Sequence, residues 1–230
     1  KVYMSHTTGP LIVNEDKDLE EIFNAWPGPL PLMIHAEGPI VETAIALGKK
    51  YDKAIHICHT TGDQIESIKK AKEAGQQLTC EVTPHHLFLT KKNRKKLGPL
   101  GIMKPPLESK QNQKKLWDNL DLIDVIATDH APHTIEEKNA NPTPFGVTGL
   151  ETTLPLLFAA IAQNMLTTEK LIQMCAINPR RIFHLPEQED TFVLVDFSET
   201  FTIQGSKLFT KNKWTPFEGM QGRGVIKKVA

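Results

Sequence analysis

Cysteine is scarce in this 230-residue chain: there are three, Cys58, Cys80 and Cys175. None stands in a CxxC spacing. An odd, sparse set excludes a disulfide framework and points to a reducing compartment, so the expectation is a cytoplasmic protein. Net charge is missing as well. The 27 basic residues cancel the 27 acidic ones, which removes the general electrostatic case for binding nucleic acid or an anionic membrane. No apolar run approaches the ~20 residues of a membrane span. No GxGxxG or GxxxxGK[ST] follows an apolar run, which argues against nucleotide binding. There is no internal repeat and no low-complexity tract.

What is present is a rhythm. Short apolar runs at 1–4, 30–34, 53–57, 77–82 and 120–127 each end in polar residues and are followed by a helical pattern. One helix carries Leu19, Ile22, Phe23 and Trp26 on one face. The next starts at Pro39 and runs through Ala44, Ile45 and Leu47. A third, capped by Asp63, bears Ile65, Ile68 and Ala71 and closes at Gly75. These are helical spacings with ordinary start and stop signals. Strands alternating with helices argue for βαβ units and a parallel sheet, closing into a (β/α)8 barrel or opening into a doubly wound sheet. The basic run Lys91, Lys92, Arg94, Lys95 and Lys96 reads as a solvated helix face. Residues 136–144 read as a polar loop, 149–161 as an apolar helix, and 178–183 as a short helix. From about Thr191 the texture changes to short strands: 192–197, 201–203 and 224–229.

The strand tips carry the chemistry. His35, Cys58 with His59, Glu81, and Asp129 with His133 stand at four tips in series. Imidazole, thiolate and carboxylate are the donors that zinc takes, and a barrel gathers its strand tips into one ring. A single histidine at a strand end is most simply structural; four such tips in series point to a metal site. His35 and His59 are the best direct ligands, whereas His56 is read as packed. Asp129 suits a residue that binds metal with one oxygen and moves a proton with the other. His133, four residues on, is expected at the pocket mouth, facing an anionic substrate. Cys58 beside His59 is expected to be metal-bound or buried rather than a free nucleophile.

Together, Lys1-Val2-Tyr3-Met4, His35-Ala36-Glu37, His56-Ile57-Cys58-His59, Thr79-Cys80-Glu81-Val82-Thr83-Pro84-His85-His86 and Asp129-His130-Ala131-Pro132-His133 resemble dihydroorotases of the amidohydrolase superfamily. The likeness is greatest to the dihydroorotase domain of the animal multifunctional proteins of pyrimidine synthesis. It continues through Gly149-Leu150-Glu151-Thr152, Asn178-Pro179-Arg180-Arg181-Ile182-Phe183 and Trp214-Thr215-Pro216-Phe217-Glu218-Gly219.

The resemblance implies an α/β fold. Residues 1–190 would be the C-terminal part of a TIM-type metallo-hydrolase barrel, from about its fourth strand onward. Residues 191–230 would be strands of a small composite β domain. It also implies zinc: two ions, with a third in the animal enzymes. Lys1 matches the lysine carboxylated to bridge two zincs, His35 and His59 match ligands of the second zinc, and Asp129 matches a ligand of the first zinc and the catalytic acid-base. Cys58 and Glu81 match the third-zinc residues. His133 and Lys104 match substrate contacts, and Thr7 falls on a loop that closes over substrate. The implied reaction is reversible hydrolysis of dihydroorotate to N-carbamoyl-L-aspartate, in a homo-oligomer fused to or associated with other pyrimidine-pathway enzymes. The alternatives are a hydantoinase or allantoinase, or an inactive dihydroorotase-like scaffold.

Two positions depart from the pattern. Lys104 stands where the animal enzymes have arginine, keeping the charge but not the bidentate fork. Thr8 stands where they have an aromatic residue. The HxH pair of the family's first strand is also absent from this span, and His56-Ile57-Cys58 does not substitute for it. The expectation is therefore part of a longer enzyme, inactive and poorly stable as an isolated piece.

Overall fold

The computed structural model describes residues 1–188 and 191–229. Five short strands form one parallel sheet: β1 (Val2–Tyr3), β2 (Leu32–His35), β3 (Ile55–Ile57), β4 (Leu78–Val82) and β5 (Val125–Ile126). Their spatial order is their chain order. A helix follows each of the first three strands: α1 (Asp16–Ala25), α2 (Ile40–Lys50) and α3 (Ile65–Glu73). The longer connection after β4 holds α4 (Pro84–Phe88), α5 (Lys91–Leu97) and α6 (Lys110–Asp118). Sequential parallel order with helical crossovers is the arrangement of an arc of a (β/α) barrel.

The sequence explains why these elements form. β2, β3 and β4 read Leu-Met-Ile-His, Ile-His-Ile and Leu-Thr-Cys-Glu-Val. They are nearly continuous apolar runs, as strands covered on both faces require. Ile34, Ile55, Ile57, Cys80 and Val82 are all fully buried. α1 turns Leu19 and Phe23 inward, α2 Val41, Ala44 and Leu47, and α3 Ile65, Ile68 and Ala71. That three-to-four spacing is one helix face. Gly48 of α2 sits so close to β3 that an added Cβ would stand 3.0 Å from the Ile55 side chain.

Register aligns the tips. Tyr3 lies opposite His35, the Cys58 N–H donates to the Ile34 carbonyl, and the Thr60 N–H donates to the Glu81 carbonyl. Beyond β1, Val13 N–H donates to the Tyr3 carbonyl at 2.7 Å, so the segment after the first loop folds back along that edge.

The C-terminal part holds α7 (Ile135–Lys138), α8 (Thr153–Ala162), α9 (Thr168–Ile172), a π turn (Gln173–Ile177) and α10 (Asn178–Ile182). The antiparallel pair β6 (Val193–Thr202) and β7 (Gln221–Val229) follows. That pair leans on α8: Phe158 meets Phe197 edge-on at 4.8 Å, and a Cβ on Gly224 would stand 2.6 Å from the Phe158 ring. The boundary expected at 190/191 adjoins Glu189 and Asp190, which lie outside the described residues. No helix among the described residues is long and apolar enough to cross a membrane.

Several local expectations are corrected. The run 120–127 supplies only two strand residues, because its first half turns to let Asp124 accept from the Cys80 N–H and pair with Lys72. The supposed loop at 136–144 begins inside α7, whose Thr134 and Glu137 make a reciprocal capping box. Asp63 does not cap α3; it accepts from the Thr61 hydroxyl at 2.6 Å. The strands expected at 192–197 and 201–203 are one irregular strand, β6.

Candidate active site

The strand tips and the loops above them enclose a pocket of about 200 Å³. Lys1, Tyr3, Thr7, Thr8, His35, His59, Lys104, Asp129, Ala131, His133, Phe145 and Gly146 line it. Seven of the nine expected site residues therefore share one cavity: Lys1, Thr7, His35, His59, Lys104, Asp129 and His133. Their positions run from residue 1 to residue 133, and the parallel sheet with its loops makes them neighbours.

At its floor, His35 Nδ1 and His59 Nε2 stand 2.8 Å apart, with the rings nearly perpendicular. His35 Nε2 and His59 Nδ1 are buried without a hydrogen-bond partner. Burial, then the Lys1 charge, pulls His35 down to about 4. Burial, then His35, pulls His59 well below the ordinary histidine range. Both rings are therefore neutral at pH 7, the form that donates a lone pair to a metal. Two nitrogens on one tetrahedral zinc, at ~2.0–2.1 Å each, are ~3.3 Å apart. A small opening of this pair thus fits one ion. No group of three His, Cys, Asp or Glu side chains converges on one point among the described residues, so a third donor would have to come from Lys1 or from a shift of Asp129.

His59 and Asp129 both adopt left-handed backbone, with φ of 40° and 44°. Non-glycine residues there carry local strain and concentrate at functional sites. Each turns the chain sharply off its strand. Burial raises the Asp129 carboxyl, opposed by the Lys1 charge. Lys1 lies with its ammonium 5.2 Å above the Tyr3 ring. Burial lowers its pKa, but coupling to the acidic groups around it, Cys58, Asp129, Tyr3 and Glu81, raises it by more, and the net direction is up. An ammonium offers no lone pair, so an unmodified Lys1 is not a metal ligand.

The other two expected residues, Cys58 and Glu81, do not line the pocket. Cys58 is fully buried, and burial followed by the Glu81 charge pushes its thiol up to about 12. It is not a free nucleophile. Glu81 accepts from His56 Nε2 at 3.1 Å, and the other ring nitrogen of His56 bonds the Thr79 hydroxyl at 2.8 Å. His56 is thus a packed, fully hydrogen-bonded histidine.

At the mouth, both nitrogens of His133 face protein partners. Nε2 donates to the Phe145 carbonyl at 3.2 Å, and Nδ1 stands 3.5 Å from the Glu137 carboxylate. Lys104 Nζ lies 3.0 Å from Glu37 Oε2 and 5.5 Å from the centre of the Phe145 ring. Thr8 accepts from the Phe145 N–H at 3.0 Å, tying the 5–10 loop across the opening. Sequence reasoning missed Phe145 as a pocket residue and Glu37 as the partner of Lys104. Glu37 had a weak signal, standing two places after His35. Phe145 had none, because its role arises from contacts up to 137 residues away.

The chain is 34% identical over 247 residues to a dihydroorotase of Pyrococcus horikoshii, covering 98% of this chain and 57% of that protein. It is 42% identical over 231 residues to the multifunctional protein CAD of Squalus acanthias, covering 100% of this chain and 10% of that protein. The chain is homologous to the dihydroorotases. No protein-family model matches it. Among solved structures, this dihydroorotase homologue superposes on a D-hydantoinase of Thermus sp. with a TM-score of 0.91 at 20% identity, covering all of this chain and 61% of that one. At that identity the match shows the shared fold. It also superposes on the inactive dihydroorotase-like domain of a Chaetomium thermophilum CAD-like multifunctional protein, with a TM-score of 0.76 at 25% identity, covering 95% of this chain and 62% of that one. The dihydroorotase homologue thus spans less than two thirds of the proteins it resembles.

Proposed function

We propose that this protein is a zinc-dependent dihydroorotase, opening the ring of dihydroorotate to N-carbamoyl-L-aspartate and closing it again. The observation that carries the reading is the buried, neutral His35–His59 pair at the floor of a pocket that also holds Asp129 and Lys1. His35 and His59 would hold zinc, with Lys1 joining after its amine adds CO2 to become a carbamate, and with Asp129 as a further ligand. Cys58 and Glu81, buried outside the pocket's lining, are candidates for a separate ion. Zinc, when bound, polarises a carbonyl and makes an attacking water acidic near neutral pH.

The chain's own residues do the rest. The Asp129 carboxylate takes the proton from the attacking water and returns it to the departing ring nitrogen. Lys104, held by Glu37 beside the pocket, supplies positive charge for a substrate carboxylate. Thr7 at the mouth orients the ring, and His133, held there by Phe145 and Glu137, keeps bulk water out unless the substrate carboxylate draws it away from Glu137. We extend the reading to association with other pyrimidine-pathway activities, because the chain aligns with a tenth of a multifunctional protein.

The test is turnover of dihydroorotate by the zinc-loaded protein, with hydantoin as competing substrate. Preferred turnover of hydantoin would overturn the substrate. Asp129→Asn is expected to abolish turnover while metal content stays near wild type, and near-normal turnover would remove Asp129 from its role. The second reading is a non-catalytic homologue. It is favoured by the likeness to an inactive domain and by the lack of a converged three-donor cluster. Less than one zinc per chain together with no turnover would establish it.

A further inference from the structure

Lys138, the last residue of α7, is completely buried. Its Nζ donates to three backbone carbonyls: Ile102 at 2.7 Å, Pro144 at 2.9 Å and Gly146 at 3.0 Å. An ammonium has three donors, so all are used. Among the described residues no carboxylate pairs with it, and its ammonium stands over the Trp214 ring, 6.0 Å from the centroid. A buried charge without a counter-ion is costly. Burial accordingly pulls this lysine down to about 8. A side chain that only filled space here would be apolar.

The three carbonyls belong to the two loops that wall the pocket. Ile102 stands two residues before Lys104, and Pro144 and Gly146 flank Phe145. The loops also touch directly, Gly146 N–H donating to the Ile102 carbonyl at 3.3 Å. Trp214 extends the network, its Nε1 donating to the His133 carbonyl at 2.7 Å.

We propose that Lys138 is a positioning residue of the substrate pocket: its ammonium ties the loop carrying Lys104 to the loop carrying Phe145 and so fixes the grip on an anionic substrate. Without it, three carbonyl dipoles aimed at one point lose their partner and repel. The two loops then separate, while the strand tips below keep their places. The effect on substrate rests on reading this pocket as the substrate site; the effect on the loops does not.

The experiment uses the complete protein carrying Lys138→Met, with Lys138→Gln, which keeps two donors, read in its place where the methionine variant does not fold. In Lys138→Met, amide hydrogen exchange in 101–105 and 143–147 is expected to rise about tenfold or more, with β2 to β4 amides unchanged. The KM for dihydroorotate is expected to rise about tenfold while kcat changes less than about threefold. Lys138→Gln is expected to show the same pattern, smaller. A folded variant with wild-type exchange in both loops overturns the proposal, as does lost turnover with KM unchanged. If the wild-type protein turns over no dihydroorotate, the functional reading fails while the exchange comparison still decides the role of Lys138.

Discussion

Stripped of metal, the protein should lose stability in acid through His35. The unfolded imidazole takes a proton near 6.5, whereas in the folded state burial and Lys1 hold it down to about 4. Above pH 6.5 the ring is neutral in both states and contributes nothing to the pH dependence. As pH falls from 6.5 to about 4 the unfolded chain binds a proton that the folded one refuses, and stability is lost. The loss levels off below about 4. At about 1.4 kcal/mol per pH unit this comes to about 3 kcal/mol from His35 alone. His86, held down to about 4 chiefly by burial, and the deeply buried His59 and His85 act in the same direction, so the comparison must be differential. The assay is urea unfolding of the chelated full protein at several pH values, wild type against His35→Asn. The variant starts lower at pH 8, because it weakens a buried hydrogen bond, and then falls less steeply, the two curves converging by about 3 kcal/mol as pH 4 is approached. Parallel curves would refute both the neutral state of His35 and the case for it as a poised ligand. Zinc should restore stability more at pH 7 than at pH 5, since it competes with protons for the same nitrogens.

Phe23, fully buried on α1, should cost about 3–5 kcal/mol when changed to alanine, seen as a lower urea midpoint with the slope unchanged. Lys104→Ala should raise KM for dihydroorotate about ten- to a hundredfold with a smaller effect on kcat, because it removes a cation and leaves the Glu37 carboxylate to repel the substrate; an unchanged KM would place the substrate carboxylate elsewhere.

The alternation of apolar runs and helical patterns was legible because each element has its own local period. Ile65, Ile68 and Ala71 lie on one helix face whatever they pack against. The candidate ligands were legible because a strand tip is a position that the run itself marks, as at His35 and Asp129. Short capped elements were harder. The Thr134–Glu137 capping box was visible as a spacing, but its helix is four residues long and carries too little apolar pattern to stand out from a loop. The long apolar run at 120–127 overstated its strand, because burial and strand pairing are different things.

Local sequence thus determined the elements, their order and the residue types at their tips, since propensity, capping and hydrophobic period act over a few neighbours. Only the tertiary structure decided which of those tips share a pocket. Register set His35 against His59, and packing left Cys58 and Glu81 buried outside the pocket's lining. It also decided that Lys138, one lysine of a stretch that reads as a polar loop, would be buried under three carbonyls from two loops. Such contacts join positions from 6 to 137 residues apart, and no local period records them.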